Sequence, residues 1–372
     1  MTPFDLFIFA GEPSGDRRGA ELLRELLKKN PKLCIAAVAG PEMRKLPIQT
    51  ILPMEHFEVM GFTDILSSLP KFFKAFFFLK KIILTAKPKA AIFIDYPGFT
   101  LRLEASLRKK NFTGKIIHYV CPTVWAWGKK RIPLMEKTID LLLCIFPFEP
   151  KTFPRPSFDA RYIGNPLISL KKEISSMPKQ TTSLGLFPGS RKKEVLRNFP
   201  IQWKAIETLY KEKKISTCHI SIANPEVEKL IRNFLQNANE KPWVFFSHSV
   251  DCFSKIGLAL ATAGTVTLEL ALHQIPTVVT YAIRPIDLFL AKHIFRIRLP
   301  FYSLANILGE KEVFTELFGP HFTYPNLMHA LSTLFDEKKR NDIFLFCEEI
   351  EKKLGKKKAS EEAASAILSS LM

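Results

Sequence analysis

The sequence predicts an α/β protein with two Rossmann-like domains in succession, followed by C-terminal helices. Short apolar runs alternate with longer amphipathic segments, the alternation stalls between residues 169 and 183, and a second alternating series then begins. Apolar strands separated by helices are typical of a parallel sheet that is covered on both faces. A chain of 372 residues, 47% of them apolar, is long enough to fill two cores.

Each half supplies five predicted strands. Those of the first half are Leu6–Ala10, Cys34–Ala39, Ala90–Asp95, Lys115–Val120 and Leu141–Phe146, with helices such as Gly19–Lys29 and Leu101–Lys110 between them. Those of the second half are Leu184–Phe187, Cys218–Ala223, Trp243–Phe246, Ile256–Ala261 and Thr277–Tyr281, and Pro325–Met372 is predicted as helices only. We therefore expect an N-terminal domain over 1–168, a linker over 169–183, a C-terminal domain over 184–345, and final helices over 346–372 that can pack back on the first domain. Ligands bind beyond the carboxyl ends of parallel strands, so the expected site is a cleft that the two domains face.

Composition narrows the class of protein. The 54 Lys and Arg residues outnumber the 36 Asp and Glu residues, and the net charge of +18 predicts an anionic partner: nucleic acid, anionic lipid or a phosphorylated substrate. No nucleic-acid-binding module is recognisable, which argues against the first of these. The six cysteines and eight histidines are scattered, which predicts reduced, buried thiols, a cytoplasmic protein and no metal site. The N-terminus has no signal-peptide pattern, and lysines interrupt the apolar runs before they could span a bilayer.

Two turns of the second half are candidate anion sites. Gly189-Ser190-Arg191 follows a predicted strand and opens a basic helix, where free N–H groups and a guanidinium suit a diphosphate. Gly264 and Thr265 open another helix in the same way, and Glu269 lies one turn further on, where a carboxylate can accept ribose hydroxyls. The plainer alternatives are a turn with Ser190 as the helix cap and a surface Arg191, and an N-cap box with a surface Glu269.

The first half offers a candidate base and a glycine-rich segment. Asp95 ends the strand Ala90–Asp95, where it could cap the next helix or act as a general base. Gly11 to Asp16 forms a loop between the first strand and the first helix, with Ser14 and Gly15 at its centre. It lacks the Gly-x-Gly-x-x-Gly pattern, so a nicotinamide cofactor is poorly supported.

Two aromatic segments remain. Trp125 and Trp127 precede the cluster Lys129-Lys130-Arg131, so they could wall an apolar slot beside a phosphate or belong to the core. In the segment Lys71–Lys81, phenylalanines cover most of a helical wheel. They either fill the core or dock reversibly on an anionic membrane, with contacts from Lys71, Lys74, Phe72, Phe73, Phe76 and Phe77.

Taken together and in order, nine motifs resemble those of one family. They are Gly11-Glu12-Pro13-Ser14-Gly15-Asp16, Val38-Ala39-Gly40-Pro41, Val59-Met60-Gly61-Phe62, Ile94-Asp95-Tyr96-Pro97-Gly98-Phe99, His118 to Trp127, Phe146-Pro147-Phe148-Glu149, Phe187 to Arg191, Gly264-Thr265 to Glu269, and Ser303-Leu304-Ala305-Asn306. The family is lipid-A-disaccharide synthase, an inverting glycosyltransferase of the GT-B fold. The likeness runs from about residue 4 to about 310, and more loosely beyond. This sequence departs from the usual family pattern at Pro13, Asn165, Ala263 and Ala305.

The resemblance implies an activity, site residues and partners. The family joins UDP-2,3-diacylglucosamine to 2,3-diacylglucosamine 1-phosphate, giving a β-1,6-linked disaccharide 1-phosphate and UDP, without a metal or other cofactor. Asp95 would be the base for the acceptor 6-hydroxyl, Arg191 would meet the diphosphate, Glu269 the ribose, and Asn306 the nucleotide region. The implied location is the cytoplasmic face of the inner membrane of a Gram-negative type of bacterium, with a homodimer left open. A UDP-sugar epimerase of the same fold is the alternative, but it needs more acid and base groups than this sequence offers.

Overall fold

The computed structural model describes residues 3–57, 62–170, 181–236, 243–246, 249–289 and 299–371. The chain divides into two compact units, Met1–Pro166 with Lys356–Met372, and Leu167–Gly355. Each unit holds one sheet in which every strand pairing is parallel. The predicted class of two parallel-sheet α/β domains is therefore confirmed. Of the predicted linker 169–183, residues 171–180 lie outside the described residues, as do Val59, Met60 and Gly61 of the third motif.

The sheet of the first unit has seven strands in the order β3-β2-β1-β4-β5-β6-β7. Its strands are β1 Leu6–Ala10, β2 Ile35–Ala39, β3 Gln49–Pro53, β4 Ala90–Ile94, β5 Lys115–Tyr119, β6 Leu141–Cys144 and β7 Ala160–Tyr162. The helices up to the end of this unit are α1 Pro13–Lys29, α2 Phe62–Ala86, α3 Pro97–Lys109, α4 Ile132–Thr138 and α5 Pro166–Leu170, the last of which runs into the second unit.

The sheet of the second unit has six strands in the order β10-β9-β8-β11-β12-β13. Its strands are β8 Ser183–Phe187, β9 Thr217–Ser221, β10 Trp243–Phe246, β11 Leu258–Thr262, β12 Thr277–Tyr281 and β13 Thr315–Phe318. Its helices are α6 Lys192–Lys211, α7 Pro225–Leu235, α8 Ser249–Phe253, α9 Val266–Leu272, α10 Pro285–Phe289, α11 Leu304–Gly309, α12 Tyr324–Thr333 and α13 Glu337–Leu354. The last helix, α14 Ala359–Ser370, returns to the first unit and packs against α1.

All ten predicted strands are present, most with their ends shifted by one or two residues. Three further strands, β3, β7 and β13, were not predicted, and each of these is an edge strand. Their residues are mostly half-exposed, so they lack the continuous apolar run that identified the central strands. The first helix also starts earlier than predicted, at Pro13 rather than Gly19, because proline suits the first helical position and no N–H is needed there.

An aromatic cluster fills the core of the first unit beside β1 and β4. The ring of Phe9 lies 5.2 Å from that of Phe99 and 4.9 Å from that of Phe57. Phe99 belongs to the first turn of α3, so this packing fixes the start of that helix against the sheet. Leu79 and Ile83 on the inner face of α2 are fully buried in the same core. Within the described ranges, no helix is long and apolar enough to cross a membrane.

Candidate functional site

Both groups of candidate residues lie where the strand order reverses. In the first sheet, β1 and β4 are neighbours in register, so Gly11 and Asp95, which follow these strands, lie side by side. From there the chain continues to β2 on one side of the pair and to β5 on the other. In the second sheet, β8 and β11 are neighbours in register, and they lead to Gly189 and Gly264. Open parallel sheets bind ligands at such switch points, at the carboxyl ends of the strands.

Asp95 is held in an unusual backbone conformation. Its φ is +52° and that of Tyr96 is +58°, so two adjacent non-glycine residues are left-handed. Each such residue costs of order 1–3 kcal/mol and persists only where its surroundings impose it. Here the Tyr96 hydroxyl donates to the Phe57 carbonyl at 2.9 Å, and Asp95 Oδ1 accepts the Tyr96 N–H at 2.9 Å. The capping alternative for Asp95 is wrong, because Tyr96 occupies the N-cap position of α3 without any side-chain cap.

A short polar network connects Asp95 to the start of α1. Arg18 Nη1 lies 3.7 Å from Asp95 Oδ2 and donates a hydrogen bond to Ser14 Oγ at 3.3 Å. The Ser14 hydroxyl in turn donates to the Glu12 carboxylate. The expectation that Ser14 and Gly15 lie in a loop is wrong, since both lie in the first turn of α1. Sequence reasoning also missed Arg18. Its spacing of four residues from Ser14, one helical turn, could have revealed it once the helix start was known.

An apolar cavity of about 600 Å³ adjoins Asp95. Phe72 and Phe76 form its inner part and also pack on the core, whereas Phe73 and Phe77 are 60% and 61% exposed. The start of α3 supplies the opposite side, where a Cβ added at Gly98 would meet no atom within 4 Å. The charged residues that line the cavity are Glu12, Asp95 and Arg102. A mostly apolar cavity with a few polar groups is the usual form of a binding site for a largely apolar small molecule.

The two tryptophans differ in their surroundings. Trp125 is half-buried, and its indole N–H donates to Glu149 at 3.3 Å. Glu149 also accepts the N–H groups of Ile145 and Phe146, both at 3.0 Å, so it anchors Trp125 to the turn after β6. Trp127 is 47% exposed, with the Arg131 guanidinium 5.1 Å from its ring centre. Trp125 is therefore part of the framework, and Trp127 presents an accessible face. The role of Glu149 was not predicted.

Among the described carboxyl groups of this unit, Glu149 is the one whose pKa is shifted furthest from its ordinary value. Burial raises the pKa of Glu149 to about 8, against the lowering effect of its three N–H donors. It also forms a buried group with Cys121 and Cys144 whose potential ligand atoms lie within 4.8 Å of one another. These residues do not fit a metal ion. The Glu149 oxygens already accept N–H groups, and hydrogen bonding and burial raise the pKa of the Cys144 thiol well above its usual range.

In the second unit, the turn Gly189-Ser190-Arg191 is fixed from the neighbouring strands. Gly189 has a φ of +110°, and a Cβ there would lie 3.2 Å from the Glu194 carboxylate and 3.7 Å from Thr262 at the end of β11. Asn224, which follows β9, donates to the Ser190 carbonyl at 2.9 Å while it caps α7. Sequence reasoning missed Asn224, although Asn-Pro after a strand is a helix-start signal.

The turn differs from expectation in its cap. The interpretation of Ser190 as the cap of α6 is wrong, because Arg191 occupies the N-cap position, and its side chain makes no capping hydrogen bond. The backbone carbonyl of Arg191 accepts the N–H groups of Glu194 and Val195 instead. The Arg191 side chain is 81% exposed and pairs with Glu194 at 3.1 Å. The Glu194 side chain is only 18% exposed, so the accessible member of the pair is Arg191, whose guanidinium an anion can reach from solvent.

The other residues that were predicted to bind the nucleotide sugar do not all lie together. Gly264 and Thr265 are exposed beyond β11, next to the Gly189 turn, and Glu269 is half-buried in the first turn of α9. Asn306 does not join them. It is fully buried, its amide donates to the Phe314 carbonyl at 2.7 Å and to Glu316 at 2.9 Å, and its oxygen accepts from Val313 and Phe314. In this structure Asn306 orders the chain before β13, and a ligand contact would require these bonds to be replaced.

The sequence matches that of a known protein family over nearly its whole length. The family described as lipid-A-disaccharide synthetase matches residues 6–368. This chain belongs to that family. A relative named lipid-A-disaccharide synthase, from Chlamydia trachomatis serovar D, is 39% identical over 347 residues, which make up 88% of this chain and 56% of that protein. The chain thus spans about half the length of the curated relatives that it matches in this genus.

Solved structures establish the fold at low sequence identity. UDP-GlcNAc 2-epimerase from Neisseria meningitidis, bound to UDP-GlcNAc, aligns with 98% of this chain and 99% of its own, with a TM-score of 0.61 at 15% identity. The glycotransferase of kitacinnamycin aligns over both chains completely, with a TM-score of 0.61 at 11% identity. A transferase and an epimerase share this architecture equally, so the fold does not separate the two activities.

Proposed function

We propose that this protein is a glycosyltransferase that condenses UDP-2,3-diacylglucosamine with 2,3-diacylglucosamine 1-phosphate, forming the β-1,6-linked disaccharide 1-phosphate and UDP. The observation that carries the proposal is the phenylalanine-lined cavity of about 600 Å³ that adjoins Asp95, in a chain of the lipid-A-disaccharide synthetase family. A purely polar sugar would leave these rings without a partner. An acylated sugar buries them and places its hydroxyls near a carboxylate.

The proposed chemistry divides the substrates between the two sets of residues. The acceptor lies against Asp95 and the cavity, and the donor diphosphate lies at Gly189-Ser190-Arg191 and Gly264-Thr265. In the transfer step, the acceptor 6-oxygen attacks the anomeric carbon of the donor and the bond from that carbon to the UDP oxygen breaks. The hydroxyl proton passes to Asp95, and UDP leaves with the bonding electrons. Configuration inverts because the attack comes from the face opposite UDP.

Asp95 is the proposed base because of how it is held. Its Oδ1 accepts the Tyr96 N–H and its Oδ2 lies near Arg18, so the carboxylate has a fixed orientation while its side chain stays partly exposed. General-base catalysis contributes typically about 10²–10⁴ in rate. At the donor site, the positive end of the α6 dipole and the exposed Arg191 guanidinium supply positive charge for the departing diphosphate.

The test is turnover with synthetic acylated donor and acceptor, measured by detection of the disaccharide phosphate. Asp95→Asn should lower turnover at least about 100-fold. Asparagine tolerates the left-handed backbone and can still accept the Tyr96 N–H, so the variant should stay folded and bind UDP as the parent does. Parent-like turnover by Asp95→Asn would remove Asp95 as the base.

The same assay separates transfer from epimerisation. A transferase releases UDP only when the acylated acceptor is present. Interconversion of the UDP-sugar without acceptor, with no disaccharide formed, would establish the epimerase reaction instead.

A membrane surface is the proposed source of both substrates. Lys71, Lys74 and Phe78 are exposed and follow one another at spacings of three and four residues, so they form one stripe along α2. Burying each phenylalanine is worth roughly 1.5–3 kcal/mol, and each lysine near an anionic leaflet adds about 1 kcal/mol. The sum is enough for reversible docking on the cytoplasmic face of the inner membrane. The cavity phenylalanines Phe73 and Phe77 adjoin this stripe.

A further inference from the structure

We infer that Arg102 binds the 1-phosphate of the acceptor and so decides which end of the acylated sugar faces Asp95. This inference rests on the proposed function. Arg102 is exposed on α3 and lines the cavity together with Asp95 and Glu12. Among the described residues that line the cavity it is the one cation, and no carboxylate in the described part of the chain lies within ion-pair distance of it.

The position of Arg102 follows from the geometry of α3. Gly98 and Arg102 are four residues apart, so they share one face of the helix. The space above Gly98 is open, and the methylene chain of Arg102 can cover apolar surface while its guanidinium stays at the solvent side. Among the described residues, the guanidinium thus has no ion-pair partner to give up before it binds a ligand in the cavity.

Charge then orients the substrate. A phosphate monoester carries between one and two negative charges near neutral pH, and the two carboxylates of the cavity, Asp95 and Glu12, repel it. Arg102 offers a planar set of donors that matches phosphate oxygens. The 1-phosphate is carried by C1 and the 6-hydroxymethyl group by C5, the two carbons bonded to the ring oxygen, so both groups lie at the edge of the ring that is away from the acylated C3. Binding of the phosphate at Arg102 therefore turns this edge, with its 6-hydroxyl, toward the part of the cavity that Asp95 lines.

The experiment compares two acceptors, 2,3-diacylglucosamine 1-phosphate and the same sugar without phosphate, in neutral detergent micelles. For Arg102→Ala, KM for the phosphorylated acceptor should rise on the order of 10- to 100-fold, and KM for the other should stay unchanged. Arg102→Lys keeps the charge but loses the planar geometry, so its KM should lie between those of Arg102→Ala and the parent. Lys109→Ala, which removes an exposed cation at the other end of α3, should alter neither KM.

Three results would overturn the inference. Equal effects of Arg102→Ala on both acceptors would make Arg102 a general determinant of cavity shape, and no effect on either would remove it from the site. A matching loss of binding to anionic vesicles would assign the residue to lipid phosphates instead. Failure of the proposed function is distinguishable, since the parent protein would then form no disaccharide from the phosphorylated acceptor.

Discussion

At the residue scale, the candidate base and the framework carboxylate differ in their surroundings. Asp95 is partly exposed, next to a cavity and near the Arg18 guanidinium. Glu149 is buried and holds Trp125 and the turn after β6 in place. Burial raises the pKa of Glu149 to about 8, so this carboxyl remains protonated in the folded protein at a pH where it would ionise in the unfolded chain.

This difference predicts how stability depends on pH. The folded pKa of Glu149 lies above its unfolded value of 4.5, so between those two values the folded state retains a proton that the unfolded state has lost. The free energy of unfolding should therefore fall as the pH rises from about 4.5 to about 8, by on the order of a few kcal/mol. Glu149→Gln should remove that fall. Urea unfolding at pH 5, 6.5 and 8 measures it.

The control for this prediction is Glu361→Gln, which changes an exposed carboxylate of the same unit. It should retain the parent's pH dependence. A parent-like slope in Glu149→Gln would mean that the three N–H donors outweigh burial and keep Glu149 ionised in the folded protein.

At the element scale, the start of α3 shapes the cavity. Gly98 lies in its first turn, and a side chain there would extend into open space rather than into protein atoms. Gly98→Leu should consequently leave the free energy of unfolding unchanged or raised, since leucine has the higher helix propensity. It should raise KM for the diacylated acceptor at least about tenfold, because each displaced methylene contact is worth about 0.8 kcal/mol.

Two controls accompany Gly98→Leu. Lys109→Leu adds the same side chain to the same helix away from the cavity, and its kinetics should match the parent. Gly98→Ala adds one methyl group and should have a smaller effect than leucine. Parent-like KM in Gly98→Leu would show that acyl chains bind elsewhere.

The elements also show what could be predicted from the sequence. A strand that is buried on both faces appears in the sequence as a continuous apolar run. All ten strands predicted from such runs are present in the structure. The edge strands β3, β7 and β13 include polar residues, so the same rule did not find them, whereas the edge strand β10 is wholly apolar and was predicted. Asp95 and the Gly189 turn could be placed because each directly follows an apolar strand.

The rest of the candidate site depends on tertiary neighbours. The sequence shows phenylalanines around most of α2, but only the sheet and α3 determine that Phe72 and Phe76 pack inward while Phe73 and Phe77 line an open cavity. The surroundings of Asn306 also depend on tertiary neighbours. Its motif indicated a ligand contact, whereas its amide is fully bonded to the chain around β13, an edge strand that was not predicted.

At the scale of the whole molecule, a net charge of +18 favours any anionic surface, so membrane binding needs a test that separates this general attraction from a specific docking stripe. The double change Lys71→Ser and Lys74→Ser removes two charges from the stripe on α2. The double change Lys109→Ser and Lys110→Ser removes two exposed charges from the end of α3 in the same unit. Both variants have the same net charge, and therefore differ only in where the charge is lost.

Sedimentation with vesicles that contain an anionic phospholipid measures the outcome. The stripe variant should bind on the order of tenfold or more weakly than the α3 variant, because each lysine near the leaflet is worth about 1 kcal/mol and distant charges are screened within about 8 Å at physiological salt. Phe78→Ser should weaken binding further at high salt, where the apolar contribution persists. Leu345→Ser, which changes an even more exposed apolar residue on α13, should not. Equal binding by the two lysine variants would assign membrane attraction to the overall charge. The role of α2 would then be limited to forming the wall of the cavity.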